Sequence, residues 1–299
     1  MLRRLLAYAL FGGFIGSVVV LPASLDRPAE SGEIMVGAGD IAGCNLRSDA
    51  LTADLLDDVG GTVFTLGDNA YPIGSEEQFA ECYDPTWGRH KDRTRPVPGN
   101  HDYGTPQAAG YFDYFGAAAG DPTDGYYTYD LGEWQVYALN SNCNKVGGCE
   151  PGSRQYEWLA DELAESPECT IVYWHHPVFT AAPDGEPQPV LALFQLLYDS
   201  GVDVLMTASS HSYERFAPLE PDGNIDETFG VRVFVVGTGG NGLRPLQELL
   251  SGTEASNDTV HGVLKLVLLS GEYEWEFLPA DGNFQDSGRG ECHGTHSAG

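Results

Sequence analysis

The stretch Val63-Phe64-Thr65-Leu66-Gly67-Asp68-Asn69-Ala70-Tyr71 carries the clearest chemistry in this chain. Its apolar half reads as a short strand that stops at Gly-Asp and delivers a carboxylate, with a phenol three residues later. The pattern recurs at Ile34-Met35-Val36-Gly37-Ala38-Gly39-Asp40, Pro96-Val97-Pro98-Gly99-Asn100-His101-Asp102, Ile171-Val172-Tyr173-Trp174-His175-His176 and Val202-Asp203-Val204-Leu205-Met206-Thr207-Ala208-Ser209-Ser210-His211. Carboxylate, carboxamide oxygen, phenolate and imidazole are ligands for hard or borderline cations, so the set favours zinc, iron or manganese over a thiolate-held metal. Two such ions about 3.5–4 Å apart can share a carboxylate, clamp a phosphate oxygen and make a bound water acidic enough to attack in line.

Taken singly, each residue has a structural reading. Gly-Asp is a common strand-ending turn, a lone Tyr71 is more often a packed aromatic, and His175 alone is as readily a hydrogen-bonded core histidine. Order tips the balance. Five apolar runs each close on a ligand type, which suits strand ends meeting at a crevice outside the carboxyl edge of a sheet.

The elements that must position these residues follow from periodicity. Residues 48–59 place Leu51, Leu55, Leu56 and Val59 at helical spacing between the first two ligand strands. Ser153 is a good N-cap for a helix over 154–165, and 190–198 reads as another amphipathic helix. Residues 126–139 form a hairpin pattern, and 231–236, 262–269 and 272–277 add strands, the last alternating acidic and aromatic residues. Residues 103–128, rich in Gly, Tyr and Phe without clean periodicity, read as a surface loop on the crevice rim. One domain is expected over 33–280, followed by a turn-rich tail over 281–299 pinned by Cys292.

The chain has 299 residues, 42% of them hydrophobic and 11% aromatic, enough for a substantial core. Its formal charge is −29, with 44 acidic residues against 15 basic ones. That balance excludes nucleic-acid binding through a basic patch and favours small phosphorylated compounds over polyanions. Met1-Leu2-Arg3-Arg4 and the uncharged apolar run over 5–21 make residues 1–24 a signal peptide or an N-terminal membrane anchor. The protein is then secreted or extracytoplasmic, and touches a membrane only through that anchor. Six cysteines without a C-x-x-C pair fit disulfides in an oxidising compartment. Cys143 with Cys149 closes a short loop, and Cys44 with Cys82 follows from their places after neighbouring ligand strands.

Gly39-Asp40-x-Ala42, Gly67-Asp68-x-x-Tyr71, Gly99-Asn100-His101-Asp102, His175-His176-Pro177 and His211-Ser212-Tyr213-Glu214-Arg215-Phe216 together resemble the calcineurin-like metallophosphoesterases, in their purple-acid-phosphatase-like branch. The resemblance implies an α/β fold of one domain, a four-layer α/β/β/α sandwich with two mixed β-sheets. It also implies two ions: one held by Asp40, Asp68, Tyr71 and His211, the other by Asp68, Asn100 and His175. His101 would act as the acid toward the leaving group, oriented by Asp102; His176 would be structural, and Arg215 a salt-bridge partner.

Two departures from that family qualify the activity. Its last motif is Gly-His-x-His, where the first histidine binds the second ion, but here Ala208-Ser209-Ser210-His211 puts a serine in that place. A serine hydroxyl is a poorer ligand than imidazole, so the second ion should be held weakly. The loop after His175 also lacks a histidine that related sequences place near a glycine, having Ala181-Ala182-Pro183-Asp184-Gly185. The leading expectation is an exported metal-dependent phosphomonoesterase of reduced activity; the alternatives are a metal-stabilised scaffold at the cell surface and a single-metal esterase. The acidic surface predicts that added salt, by screening self-repulsion, raises the melting temperature from low to molar concentration. A flat or falling profile in a thermal melt would overturn that reading.

Overall fold

A computed structural model describes residues 32–183 and 189–294, so the predicted export segment, Asp184 and the end of the tail lie outside the described residues. Strand β1 (Glu33–Ala38) leads to Asp40, and the two-residue β2 (Ala42–Gly43) precedes the helix Ser48–Asp58. That helix returns the chain to β3 (Thr62–Leu66), which pairs parallel with β1; after the short β4 (Ala70–Tyr71), β5 (Thr94–Val97) pairs parallel with β3. Parallel neighbours put their carboxyl ends on one edge, which is why Asp40, Asp68 and Asn100 emerge side by side.

The second half builds a separate sheet. It begins with the hairpin β6 (Tyr127–Leu131) and β7 (Trp134–Ala138), and continues through β8 (Thr170–Tyr173), β9 (Val204–Thr207), β10 (Tyr213–Leu219) and β11 (Val231–Val236). Next come β12 (Thr253–Asn257), then β13 (Gly262–Leu269), β14 (Glu272–Pro279) and β15 (Ser287–Glu291), which cross back to the first sheet. The spatial orders are β15-β14-β13-β1-β3-β5 and β12-β10-β11-β9-β8-β7-β6, each mixing parallel and antiparallel pairs.

Period-2 alternation decides which core each strand feeds. Ile171 and Tyr173 of β8, Val204 and Met206 of β9 and Phe234 and Val236 of β11 face the core between the sheets, with Phe64, Leu266 and Trp275 from the other side. Their neighbours Val172, Leu205, Val233 and Val235 face outward, under Leu159 and Leu163 of the helix Arg154–Leu163 and Leu193 and Leu197 of the helix Leu191–Asp199. Ala53 and Leu56 of the helix Ser48–Asp58 complete the fourth layer. Each such side chain contributes about 1.5–3 kcal/mol on burial, so a one-residue slip in β8 or β9 would lose the register on both faces at once.

Three local expectations change. Residues 103–128 are not only rim loop: they contain the helix Ala109–Phe115, whose Tyr111, Phe112 and Phe115 are buried. Seven residues starting Ala-Gly are too short to display a period. The tail is held by more than Cys292, because β15 pairs antiparallel with β14. Its Ser-Gly-Arg-Gly-Glu sequence carries no strand signature, and its glycines serve another purpose, since a Cβ at Gly288 or Gly290 would collide with Trp275 or Tyr273. Ser153 does occupy an N-cap, but its hydroxyl is buried without a hydrogen-bond partner, and Glu157 instead takes the Gly152 N–H at 2.7 Å.

The disulfides join Cys44 to Cys82, Cys143 to Cys149 and Cys169 to Cys292. The last spans 123 positions and ties the tail to the start of β8. Replacing Cys169 and Cys292 together by alanine should cost about 2–5 kcal/mol of stability. An unchanged calorimetric melting temperature would show that the β14–β15 pairing alone secures the tail.

Candidate metal centre

Three loops from the first sheet, after β1, β3 and β5, and three from the second, after β8, β9 and β11, meet at one edge of the sandwich. Asp40 and Asp68 leave β1 and β3 in left-handed conformation, with φ of 57° and 51°, and their turns run in step, Asp40 N–H bonding Gly67 O and Ile41 N–H bonding Asp68 O. Ser209 and His211 after β9 share that conformation, with φ of 67° and 53°. Left-handed backbone costs a non-glycine residue about 1–2 kcal/mol, and four such residues at one place mark a region whose shape is imposed by the surrounding packing. Gly67 has no room for a side chain: a Cβ there would lie 2.7 Å from His175 Nδ1.

The side chains converge. The Tyr71 phenol oxygen lies 2.7 Å from Asp40 Oδ1 and 3.0 Å from Asp68 Oδ2. His211 Nε2 approaches Tyr71 Oη and Asp40 Oδ1, each at 3.4 Å. On the other side, His175 Nε2 is 3.4 Å from Asp68 Oδ2 and 3.1 Å from Asn100 Oδ1. Donor atoms of Asp40, Asp68 and His175 all fall within 4.8 Å of one another, and all three residues are buried. Asp68 Oδ2 is thus the atom common to the Tyr71 side and the His175 side.

The imidazoles are oriented from behind. His175 Nδ1 meets Leu66 O at 2.7 Å and His211 Nδ1 meets Gly242 O at 2.9 Å, so in each ring Nδ1 carries the proton and Nε2 is turned toward the carboxylates. Backbone carbonyls fixing the tautomer in this way are the usual support of metal-ligating histidines. The field is strongly negative. Burial disfavours a charged imidazole at His175, but Asp68 and Asp40 outweigh it and push its pKa up to about 9. Burial would likewise raise the Asp68 carboxyl, yet His175 and His101 hold it well below the ordinary carboxylate range. Burial, with Asp40 and Asp68 alongside, drives the Tyr71 phenol far above its ordinary value, so it ionises only against a strong positive charge. Two carboxylates, a phenol, a carboxamide oxygen and two pre-turned imidazoles around one buried negative cluster fit hard or borderline cations.

The structure brings together Asp40, Asp68, Tyr71, Asn100, His175 and His211, with His101 beside them. His101 Nε2 is 3.9 Å from Asp68 Oδ2, and its ring, about a third exposed, lies 4.6 Å from that of Tyr71. Asp102 does not orient it. The Asp102 carboxylate accepts from Gly99 N–H at 2.8 Å and from the Asn69 side chain at 3.0 Å, while His101 Nδ1 donates to Pro72 O at 2.7 Å. A buried carboxylate inside a turn is drawn to the turn's unpaired amides, and that leaves the neighbouring side chain to another partner. Burial and the charge of Asp68 raise the Asp102 pKa to about 6. His176 is buried against Ser141 at 2.8 Å, and Arg215 pairs with Asp286 at 2.8 Å, both as expected of structural residues.

Ser209 offers the cluster its backbone rather than an imidazole: its N–H donates to Asp40 Oδ2 at 2.8 Å. Sequence periodicity also passes over Asn241. Its N–H bonds Asp40 O at 2.8 Å, its side chain reaches the Tyr71 phenol, and the next residue supplies the carbonyl that holds His211. The available signal was the glycine run Gly237-Thr238-Gly239-Gly240-Asn241-Gly242 after β11, since a Cβ at Gly237 would lie 2.6 Å from Asp40 Oδ2.

Comparison with known proteins places this geometry in context. The fold is similar to that of a purple acid phosphatase, PPD1, from yellow lupin (Lupinus luteus) seeds, with a TM-score of 0.68 and 18% identity, over 86% of this chain and 53% of that one. The chain therefore spans about half the length of the lupin protein. It is also similar to GAP50, the anchor in the inner membrane complex of Plasmodium, with a TM-score of 0.64 and 10% identity over 90% and 91% of the two chains. A dimetal phosphatase from Danio rerio aligns with a TM-score of 0.54 and 14% identity, over 86% of this chain and 99% of that one. At these identities the likeness shows the fold. No curated protein matches the sequence. The family model described as calcineurin-like phosphoesterase matches residues 36–213, more than half the chain and the span that contains every residue of the cluster from Asp40 to His211, and the protein belongs to that family.

Proposed function

We propose that this protein is an exported, metal-dependent phosphomonoesterase acting on small phosphorylated compounds. The observation that carries the reading is Asp68 Oδ2, common to the Tyr71 and His175 sides of one buried cluster. Asp40, Asp68, Tyr71 and His211 would hold one cation, and Asp68, Asn100 and His175 the other, drawn from iron, zinc or manganese. Bound there, such cations supply Lewis acidity and make a coordinated water acidic enough to attack phosphorus near neutral pH.

The protein's own residues do the rest. His101 keeps its Nδ1 proton on Pro72 O, so a protonated ring can give its Nε2 proton to the departing alkoxide without changing that bond. Asp102 holds Gly99 and Asn69 in place and thereby fixes the loop that presents Asn100. Gly242 and Leu66 keep the two ligand imidazoles from turning. The three disulfides support an oxidising, extracytoplasmic destination, and among the described residues no helix is long and apolar enough to cross a membrane.

Ser209 favours a second reading, a metal-holding scaffold with little turnover. The described relative GAP50 is named as an anchor, and its fold aligns over most of this chain. The two readings separate on turnover. With zinc, manganese or ferric iron supplied, a chromogenic phosphate monoester should be hydrolysed, and Asp68→Asn should lower the rate by roughly 10²-fold or more; tight metal binding without hydrolysis would leave the scaffold.

His101→Ala should lower kcat by about 10²–10⁴-fold on an alkyl phosphate, whose leaving group needs a proton, and much less on 4-nitrophenyl phosphate. Equal losses on both substrates would remove His101 from the proton-donor role. Metal analysis after dialysis should find one ion retained per wild-type chain and two in Ser209→His, since an added imidazole completes the weaker site. Two ions already retained by the wild type would overturn the deficit assigned to Ser209.

A further inference from the structure

The helix Ser48–Asp58 turns a polar face inward at its start. Asp49 and Thr52 are buried there, whereas Leu51, apolar by type, is exposed. A hydroxyl removed from water needs partners, and Thr52 has them on both sides. It accepts the indole N–H of the buried Trp87 at 3.0 Å and donates to Gly239 O, in preference to Asp49 O of its own helix at 3.0 Å. One turn earlier, Ser48 donates to Gly240 O. The two acceptors are consecutive carbonyls of the glycine run after β11. That run lies directly against the helix, since a Cβ at Gly240 would fall 2.6 Å from Asp49 Cα.

The opposite side of the same run faces the metal centre. Gly239 N–H donates to Gly39 O at 2.9 Å, and Asn241 N–H to Asp40 O at 2.8 Å. Gly242 O meets His211 Nδ1 at 2.9 Å, and Arg244 N–H donates to His211 O at 3.0 Å. A peptide group is planar and trans, so its carbonyl and its N–H point in opposite directions. In the unit joining Gly240 to Asn241, Ser48 takes the carbonyl and Asp40 O takes the N–H, so a hydroxyl on the helix fixes an amide at the cluster. Thr52 fixes the preceding unit through Gly239 O.

These outer bonds are needed because of what the run is made of. Glycine is the most permissive residue for backbone rotation, and Gly239, Gly240 and Gly242 have no side chains to lock their dihedrals. Thr238 anchors the upstream end, donating to Gly262 O at 2.8 Å, but the stretch that reaches Asp40 and His211 lies beyond it. There the Thr52 and Ser48 hydroxyls are the side-chain donors to the run's carbonyls.

We propose that Thr52 and Ser48 are positioning residues of the metal centre: by holding the carbonyls of Gly239 and Gly240 they fix the loop that orients Asp40 and the His211 ring, and so set how tightly the cation on the Tyr71 side is held. The effect on affinity rests on the two-cation reading; the orientation of His211 does not. The His211 Nδ1 proton, followed by NMR in metal-free protein carrying isotope-labelled histidine, reads the loop directly. The His175 Nδ1 proton, on Leu66 O in the other half of the centre, is the control. Thr52→Val, close in shape but without the hydroxyl, should speed solvent exchange of the His211 proton about tenfold and leave that of His175 unchanged, and Thr52→Ser should restore wild-type exchange. Ser48→Ala should act in the same direction, and it tests the clamp by itself if Thr52→Val does not fold. In competition with a chelator, Thr52→Val should hold the zinc ion retained by the wild type about tenfold more weakly. Unchanged His211 exchange in both variants, equal acceleration at His175, or wild-type zinc affinity in Thr52→Val would overturn the assignment. Selective loss of His211 protection in a protein that binds no zinc, manganese or iron would sustain the clamp and sink the two-cation reading instead.

Discussion

The burial of Asp68 is the constraint on which the rest of the site depends. A carboxylate removed from water must find compensating charge or hydrogen bonds, or it protonates. Asp68 finds both: its Oδ1 accepts the His101 N–H at 2.8 Å, and its Oδ2 lies between the Tyr71 phenol and the His175 ring. Asp40, also buried, repeats the arrangement with Tyr71 and the Ser209 N–H. Two negative groups at such range repel each other; they drive His175 toward its charged form and hold the phenol neutral. The same field suits multivalent cations, so the electrostatics of the cluster and its proposed chemistry have one origin.

Holding such a cluster requires a rigid frame, and the two-sheet architecture provides it. Asp40, Asp68 and Asn100 follow parallel strands β1, β3 and β5 of one sheet, while His175, Ser209 and His211 follow β8 and β9 of the other. The intersheet core of Phe64, Tyr173, Met206 and Phe234 fixes one set against the other. Close-packed interiors resist small displacements, which is how four left-handed non-glycine residues are kept in place without a flexible hinge. The far end of β8 is secured separately, by Cys169 with Cys292 and by Asp203, which accepts from Thr170 and His293 at 2.8 Å.

Ser209 and Asn241 act on the cluster chiefly through their backbone amides. Ser209 keeps the left-handed turn and the amide bond to Asp40 although it presents no imidazole. Asn241 adds an amide on the other side of Asp40, and its carboxamide lies near Tyr71. Asp40 is thus held by two main-chain donors, the Ser209 N–H on its carboxylate and the Asn241 N–H on its carbonyl, neither of which needs a particular side chain at 209.

The sequence by itself determined the types of the clustered side chains, their order and the strand ends that carry them, because a strand's alternation and its abrupt Gly-Asp stop are local properties of the chain. It also determined the Cys143–Cys149 loop, whose closure is short-range, and the outward acids and inward aromatics of β14. Tertiary structure alone decided the rest. That Asp102 serves Gly99 and Asn69 rather than His101 depends on which unpaired amides lie within reach, a matter of three-dimensional placement. The roles of Asn241 and of β15 were hidden because glycines have no periodicity to read, and what they provide is close approach between distant segments. Whether two carboxylates share one phenol is settled only when β1 and β3, which pair Met35 with Thr62, are packed edge to edge, since register and burial, not residue identity, set those distances.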